Sequence, residues 1–214
     1  MALTNYTELK DSITKWLRRT VDVNLDDFIK LAETTMIYGD SAIGVEPLRV
    51  WQMESLESVT ITAASRTAPL PTRFISAKNA YFSEDRILTY KPMAALNDAW
   101  ITASPDTPSF YSYQDSNLLL APTPSETTTL YLDCYIAPAA LSSSNTVNAI
   151  LTNYPNIYLY GSLAAAFGYL RNTEEEMKFY KKTAGAIKSA NDSSIKSRMS
   201  GTLSAPTPIR RRVP

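Results

Sequence analysis

The chain has 214 residues, of which 44% are hydrophobic and 20% are charged, a composition typical of a protein that folds around one sizeable core or two small lobes. Lysine plus arginine equals aspartate plus glutamate at 21 each, so no net charge attracts the whole chain to nucleic acid or to an anionic membrane. The chain has no histidine and one cysteine, Cys134, which excludes an internal disulfide, Ser-His-Asp and Cys-His catalysis, and the usual zinc and copper ligand sets.

The first residues predict an amphipathic helix. Asn5 is followed at the third position by Glu8, a spacing typical of a capped helix start. Apolar side chains then recur at helical spacing, which predicts a helix as far as about Arg19. The face that they form contains Tyr6, Leu9, Ile13, Trp16 and Leu17.

A second helix is predicted directly after the first, with Asp22 or Asn24 as its cap. Its apolar face contains Leu25, Phe28, Ile29, Ala32 and Met36. Asp26 and Asp27 are adjacent carboxylates, but consecutive residues of a helix point about 100° apart, and acidic first turns favour the helix dipole. We therefore interpret the two as structural charges and not as a catalytic pair.

Between residues 48 and 141 the pattern changes to alternation with period two, with more threonine, tyrosine and serine. The clearest strand is Thr128–Ile136, in which Leu130, Leu132 and Cys134 form part of one apolar face. Cys134 is therefore expected to be a small core residue. The other predicted elements are strands at 58–63, 74–82, 86–90, 109–114 and Asn117–Ala121, and a short helix at 93–100.

Helical spacing returns after a serine-rich connection at 142–145. Pro155 suits the first turn of a helix that is apolar on most faces as far as Leu170. Thr173 with Glu176 predicts the capped start of a last helix. Its predicted apolar stripe, opposite a lysine-rich outer side, contains Met177, Tyr180, Ala184 and Ile187.

This order of elements predicts an α+β fold, in which the N-terminal and C-terminal helices form one bundle and a mainly antiparallel β lobe is inserted between them. The expected boundaries place residues 1–47 and 145–199 in the helical bundle and 48–144 in the β lobe. An extended tail, 200–214, completes the chain.

The tail carries three prolines, little apolar material and a run of arginines, so it cannot bury enough surface to order itself. We interpret it as a docking arm that becomes ordered on a partner. The residues expected to dock are Ile209, Arg210, Arg211 and Arg212. The alternative is an unstructured end with no role.

No motif for catalysis or for a cofactor is present. The chain has six glycines and contains neither a dinucleotide-binding nor a phosphate-binding glycine motif, so we expect no cofactor and no enzyme activity. A carboxylate pair on distant strands, as in a glycosidase, would leave no local signature. Residues 1–10 lack a signal peptide's pattern, and the apolar stretch 157–170 is shorter than the roughly 20 residues of a membrane span, so we expect synthesis in a reducing cytoplasm and no membrane contact.

Tyrosine is unusually frequent, with thirteen residues in the chain. Tyrosine suits protein interfaces, because it offers apolar area and a hydroxyl at a small entropic cost. Those predicted to form a subunit interface are Tyr154, Tyr158, Tyr160, Tyr169 and Tyr180. The alternative is a core with tyrosines at its rim. Stacking of single-stranded nucleic acid is not expected, because no basic residue is interleaved with the aromatics of 154–169.

Several segments occur in the order found in a known family. They are NYTELK at 5–10, DFIKLAE at 27–33, LPTRF at 70–74, PSFY at 108–111, LLLAPTP at 118–124 and LTNYPNIYLYG at 151–161. With these segments the chain resembles the phage adaptor, or head-to-tail connector, proteins related to tail tubular protein A of short-tailed phages. Arg73 and Asn156 stand where that family commonly has aspartate.

The resemblance implies a structural protein of the virion, at the head–tail junction. It implies a homo-oligomeric ring, with twelve as the expected number of subunits, bound to the portal above and to the tail nozzle or another tail component below. DNA would pass through the lumen without sequence-specific binding. The helical bundle and the arginine tail would then face the portal, and the β lobe would face the next tail component.

Three other functions stay open from the sequence. The chain could be another head-completion or tail-terminator component of the same junction. It could be a nucleic-acid-binding module that uses the arginine tail, which would show as strongly salt-dependent DNA binding. It could also be a hydrolase, which would show as turnover abolished by substitution of one carboxylate.

Overall fold

The computed structural model describes residues 3–18, 25–82, 86–101 and 104–198. It is 45% helical and 25% strand, with helices near both ends of the described chain and strands between them, so the predicted α+β class is confirmed. The expected helix caps Asp22 and Asn24 and the expected tail, 200–214, lie outside the described residues.

The helices and strands in chain order are α1 (Tyr6–Leu17), α2 (Leu25–Tyr38), β1 (Glu54–Ile61), β2 (Thr67–Pro69), β3 (Phe74–Tyr81), β4 (Thr89–Tyr90), α3 (Met93–Ile101), β5 (Phe110–Gln114), β6 (Asn117–Ala121), β7 (Thr128–Ile136), α4 (Ala149–Asn153), α5 (Pro155–Tyr169) and α6 (Thr173–Arg198). The chain divides into two compact units. Among the described residues, 3–18, 25–51 and 140–198 form the helical unit, and 52–82, 86–101 and 104–139 form the β unit.

Helix α1 begins as the sequence predicts. The Asn5 side chain accepts a hydrogen bond from the backbone N–H of Glu8 at 2.9 Å, which satisfies one of the free amides of the first turn. The Glu8 carboxylate in turn accepts from the backbone N–H and the hydroxyl of Thr4. The helix ends at Leu17, before the expected Arg19, because Arg18 adopts a left-handed conformation with φ of 51°.

Helix α5 lies at the centre of the helical unit and packs against both α2 and α6. It is buried along most of its length, which confirms the prediction of a helix that is apolar on most faces. Gly161 marks the closest approach: a Cβ at this position would lie 2.9 Å from the Ala32 Cβ on α2 and 3.8 Å from the Thr183 Cγ2 on α6. The absence of a side chain therefore lets three helices meet at one point.

The predicted cap of α6 was wrong, and of the four residues in the predicted apolar stripe only Ile187 is buried. The side chain of Asn172, and not of Thr173, accepts the first-turn hydrogen bond, from the Glu175 N–H at 3.3 Å. The buried stripe contains Phe179, Thr183, Ile187, Ala190 and Ser194. Met177, which the sequence placed in the stripe, is 40% exposed. Thr183 can be buried because its hydroxyl donates to the backbone carbonyl of Phe179 at 2.9 Å.

The β unit contains two sheets. The first has three antiparallel strands in the order β1-β7-β3, and the second has four strands in the order β2-β6-β5-β4, all antiparallel except for the parallel pair of β4 and β5. The predicted alternation on β7 is confirmed, since Leu130, Leu132 and Cys134 are fully buried. Burial raises the pKa of the Cys134 thiol to about 11, as expected for a core cysteine.

The predicted strand at 86–90 was wrong as a single element. Residues 86–88 pair with β3, through hydrogen bonds from the Phe82 N–H to the Arg86 carbonyl and from the Leu88 N–H to the Ala80 carbonyl. Only Thr89–Tyr90 continues as β4, beside β5 of the other sheet. The chain thus passes from one sheet to the other within five residues. The three-residue strand β2 was not predicted, and β1 begins four residues before the expected position 58.

Candidate interaction surfaces

The five tyrosines proposed for an interface occupy different environments. Tyr169 is 59% exposed at the end of α5, with its ring 5.6 Å from that of Phe28. Tyr154, Tyr160 and Tyr180 are half-buried. Tyr158 is buried inside the helical unit. Of the five side chains, that of Tyr169 therefore offers the largest fraction of its surface to a partner.

Tyr158 belongs to a buried polar network. Its hydroxyl donates to the Glu33 Oε1 at 3.1 Å and accepts from the Asn148 Nδ2 at 2.7 Å, while the backbone N–H of Leu141 donates to the same Glu33 oxygen at 2.9 Å. Burial raises the pKa of the Glu33 carboxyl, and the hydrogen bonds from Leu141 and Tyr158 oppose that rise. The network ties α2, α5 and the segment before α4 together and rigidifies the unit.

An aromatic–lysine cluster, formed by Trp16, Tyr160, Phe167, Phe179 and Lys182, lies where α1, α5 and α6 meet. The Trp16 ring is 6.0 Å from that of Phe179 and 6.4 Å from that of Tyr160, in edge-to-face arrangements. The Lys182 Nζ lies 4.9 Å from the ring centre of Phe179, within cation–π range. Trp16 was expected in the apolar face of α1 but is 44% exposed, so the cluster presents an aromatic surface to solvent.

The outer side of α6 carries a basic face, defined by Lys178, Lys181, Lys188 and Lys196, all of which are exposed. Lys178 pairs with Glu175 at 2.9 Å. Within the described ranges, no carboxylate forms an ion pair with the other three lysines. A shallow groove of about 730 Å³ runs along this face between Gly185 and Ser197. The lysine-rich outer side predicted from the sequence is therefore exposed among the described residues.

Asp26 and Asp27 have separate surroundings. The Asp26 carboxylate lies 2.6 Å from the Lys10 Nζ and accepts a hydrogen bond from the Tyr6 hydroxyl at 2.6 Å. These hydrogen bonds, first from Lys10 and then from Tyr6, lower the pKa of Asp26. Asp27 is exposed. The Asp26 carboxylate thus links α2 to α1, as expected of a structural charge.

Arg73 has a structural role at the place where the related family commonly has aspartate. It adopts a positive φ of 61° at the turn before β3, and its guanidinium donates to the backbone carbonyl of Ala137 at 3.0 Å. On the neighbouring three-stranded sheet, Lys78 bridges Glu54 on β1 at 3.0 Å and Asp133 on β7 at 3.4 Å. These contacts join the strands of the β unit at its surface.

The described part of the chain offers no metal-binding constellation. Across residues 3–18, 25–82, 86–101 and 104–198, no group of three or more cysteine, aspartate or glutamate side chains is placed to hold a metal ion. In the same ranges no helix combines the length and the apolarity that crossing a membrane would require.

Comparison with known families decides the class of protein. The sequence matches the family described as SU10 adaptor protein over residues 4–212. The chain belongs to the SU10 adaptor protein family. No curated protein matches the sequence at a significant level. The family match confirms the resemblance to phage adaptors that the sequence motifs indicated.

Membership in this adaptor family makes the chain a phage structural adaptor, a virion component that contacts other virion components. The motif segment at 151–161 supplies much of the core of the helical unit, since Leu151, Ile157, Tyr158 and Gly161 are all buried. The motif therefore maintains the fold of this adaptor. The aromatic–lysine cluster and the Glu33 network were not predicted, because each joins residues more than a hundred positions apart.

Proposed function

We propose that this adaptor forms a ring of twelve copies between the portal and the tail and provides the channel through which DNA leaves the capsid. The observation that carries the proposal is the family match, which extends from residue 4 to residue 212 and so includes both units and most of the tail. A ring suits the task because many modest contacts repeated by symmetry close into a stable assembly.

In this proposal the helical unit and the tail face the portal. Ile209 and the three arginines at 210–212 dock on the portal surface, and each additional copy raises the effective concentration of the others' tails. The β unit faces the tail nozzle or the next tail component, and DNA passes through the lumen without sequence-specific contacts. The protein has no catalytic task in this account.

Neighbouring copies would meet through tyrosine-bearing surfaces of α5 and α6. Tyr169 supports this best, because its side chain is exposed next to α2. Tyr154, Tyr160 and Tyr180 can contribute the exposed part of half-buried rings. Tyr158 would act indirectly, by holding α5 in place through Glu33 and Asn148.

The experiment is capture by the portal ring from the same genome, with the intact chain and with a chain that ends at Thr202. The intact chain should form a discrete multi-copy complex, and the shortened chain should bind more weakly, since it lacks the docking arm. A shortened chain with unchanged binding would remove the arm from the proposal. If the intact chain does not bind an intact portal ring, the protein is another junction component, such as a head-completion or tail-terminator protein.

A further inference from the structure

We infer that the basic face of α6 is one half of the contact between neighbouring copies, and that its occupant is an acidic surface of a second copy of this chain. The inference rests on the proposed ring and names the surface that closes it. The charge along the sequence is strongly uneven, although the chain is neutral as a whole.

The chain carries a net positive charge near its C-terminal end and a net negative charge over the rest of its length. Residues 177–198, the part of α6 that follows its acidic first turn, contain six basic residues and one acidic residue. Residues 1–176, which include the three glutamates of that first turn, contain twelve basic and twenty acidic residues. The body of one copy therefore attracts the α6 face of another, and this attraction is strongest at low ionic strength.

The lysines of the basic face are placed to use this attraction. Lys181, Lys188 and Lys196 are two turns or slightly more apart, so they lie on one side of α6 over roughly 22 Å. All three are exposed, and within the described residues none of them pairs with a carboxylate of its own copy. Partner carboxylates can therefore bind without displacing an internal ion pair.

The surroundings of the face favour a protein partner over nucleic acid. Met177 and Ile195 are 40% and 56% exposed on the same helix, and Trp16 of the aromatic–lysine cluster is exposed close to Lys182. Exposed Trp and Met side chains are typical of protein interfaces. Asp192, in the groove between Lys188 and Lys196, would repel a phosphate backbone but can pair with a cation of a protein.

A second copy is the occupant that the charge distribution fits. A ring needs a head-to-tail contact between two different patches of the same chain, and opposite charges on those patches make the contact directional. The basic patch is on α6. Exposed carboxylates that can pair with it occur in both units: Asp11 and Asp27 in the helical unit, and Asp106, Asp115 and Glu126 in the β unit.

The test is carbodiimide cross-linking of an equal mixture of unlabelled and ¹⁵N-labelled chains, with and without the portal ring. This reagent joins a lysine to a carboxylate only where the two are in contact, and mixed-isotope peptides identify links between copies. We expect mixed links from Lys188 or Lys196 to a carboxylate of the acidic body. Links from these lysines to portal peptides alone, or copies that associate without any such link, would overturn the inference.

Charge reversal on the basic face, compared with a matched reversal elsewhere, tests the same contact. Lys188→Glu combined with Lys196→Glu should weaken association between copies at least about tenfold, because like charges then face each other. Lys30→Glu combined with Arg86→Glu changes the net charge equally at exposed sites outside α6 and should have little effect. The inference would be overturned if the two double variants weakened association between copies equally. It would also be overturned if the Lys188→Glu, Lys196→Glu variant lost binding to duplex DNA but still associated normally.

The outcomes separate this inference from the proposed function. If the portal captures the chain normally but the charge reversal on α6 does not change association between copies, the adaptor role is supported and the inference is wrong. Charge-dependent association between copies, with no capture by the portal ring, supports the inference and removes the portal from the proposed function.

Discussion

The crossing of α2, α5 and α6 at Gly161 allows the packing of the helical unit to be tested with one methyl group. In Gly161→Ala the new Cβ would lie 2.9 Å from the Ala32 Cβ, which is closer than real Cβ contacts. Ala32 has no flexible side chain that could move away, so α2 or α5 must shift. Overpacking of this kind costs about 1–3 kcal/mol in the free energy of unfolding.

A second glycine in a helix of the same unit isolates this cost. Replacing a helical glycine by alanine gains about 1 kcal/mol from helix propensity alone. Gly185 on α6 is exposed, and a Cβ there would meet nothing within 4 Å, so Gly185→Ala should stabilise the protein by nearly that amount. The gain in helix propensity is the same in both variants, so it cancels when their free energies of unfolding are subtracted. We expect Gly161→Ala to be less stable than Gly185→Ala by about 1–3 kcal/mol.

Urea unfolding followed by circular dichroism at 222 nm measures both variants. A double variant, Gly161→Ala with Ala32→Gly, should recover part of the lost packing energy, because the residue that clashes has been removed, although a glycine in α2 costs about 1 kcal/mol itself. The reasoning is refuted if Gly161→Ala is stabilised as much as Gly185→Ala, or if Ala32→Gly is equally destabilising with and without Gly161→Ala.

Three further predictions concern single side chains. Burial raises the pKa of Glu33, so between the pKa values of the unfolded and the folded state the folded protein holds a proton that the unfolded chain has released, and stability falls as pH rises through that range. In urea titrations, the free energy of unfolding of the wild type relative to Glu33→Gln should therefore be larger at pH 5 than at pH 7.5. An unchanged difference would contradict this. The Cys134 thiol, with its pKa of about 11, should react with Ellman's reagent at pH 8 at least about 100-fold more slowly in buffer than in 8 M urea, and equal rates would show that it is accessible. Because Asn172 caps α6, Asn172→Ala should lower the free energy of unfolding by about 0.5–1 kcal/mol. Thr173→Ala should lower it by less than about 0.5 kcal/mol. The reverse order would assign the cap to Thr173.

Local features of the fold could be predicted from the sequence. The Asn5 cap depends on residues three positions apart, and the alternation of Leu130, Leu132 and Cys134 depends on residues within one strand. The order of elements predicted the α+β class for the same reason. Each of these signals is complete within a short window, so no distant contact was needed to interpret it.

Features that depend on distant contacts could not be predicted. Strand β2 has only three residues and owes its existence to pairing with β6, about fifty positions away. The stripe of α6 was misjudged because Thr183 and Ser194 count as polar in a hydropathy pattern, although both are buried. A local bond from Thr183 to the Phe179 carbonyl removes the cost of burying its hydroxyl.

The candidate interaction surfaces also combine features that a short stretch of sequence shows with features that depend on distant contacts. The lysines of α6 and the tyrosines of α5 are visible in the sequence, and their number suggests an interface. The position of Trp16 beside Lys182, and the burial of Tyr158 against Glu33, become apparent only when α1 and α2 are packed on α5 and α6. Which of these aromatic side chains are exposed and which are buried therefore could not be predicted from the sequence.

Mass measurement of the intact complex tests most directly whether this chain forms a ring on the portal. Charge-detection mass spectrometry of the portal ring, alone and after addition of excess chain, gives the number of copies bound, since each copy adds 23.7 kDa. We predict one discrete species with twelve added copies and few partly filled rings, because each bound copy favours the next. An unchanged portal mass, or a broad distribution of one or two copies per ring, would contradict the account.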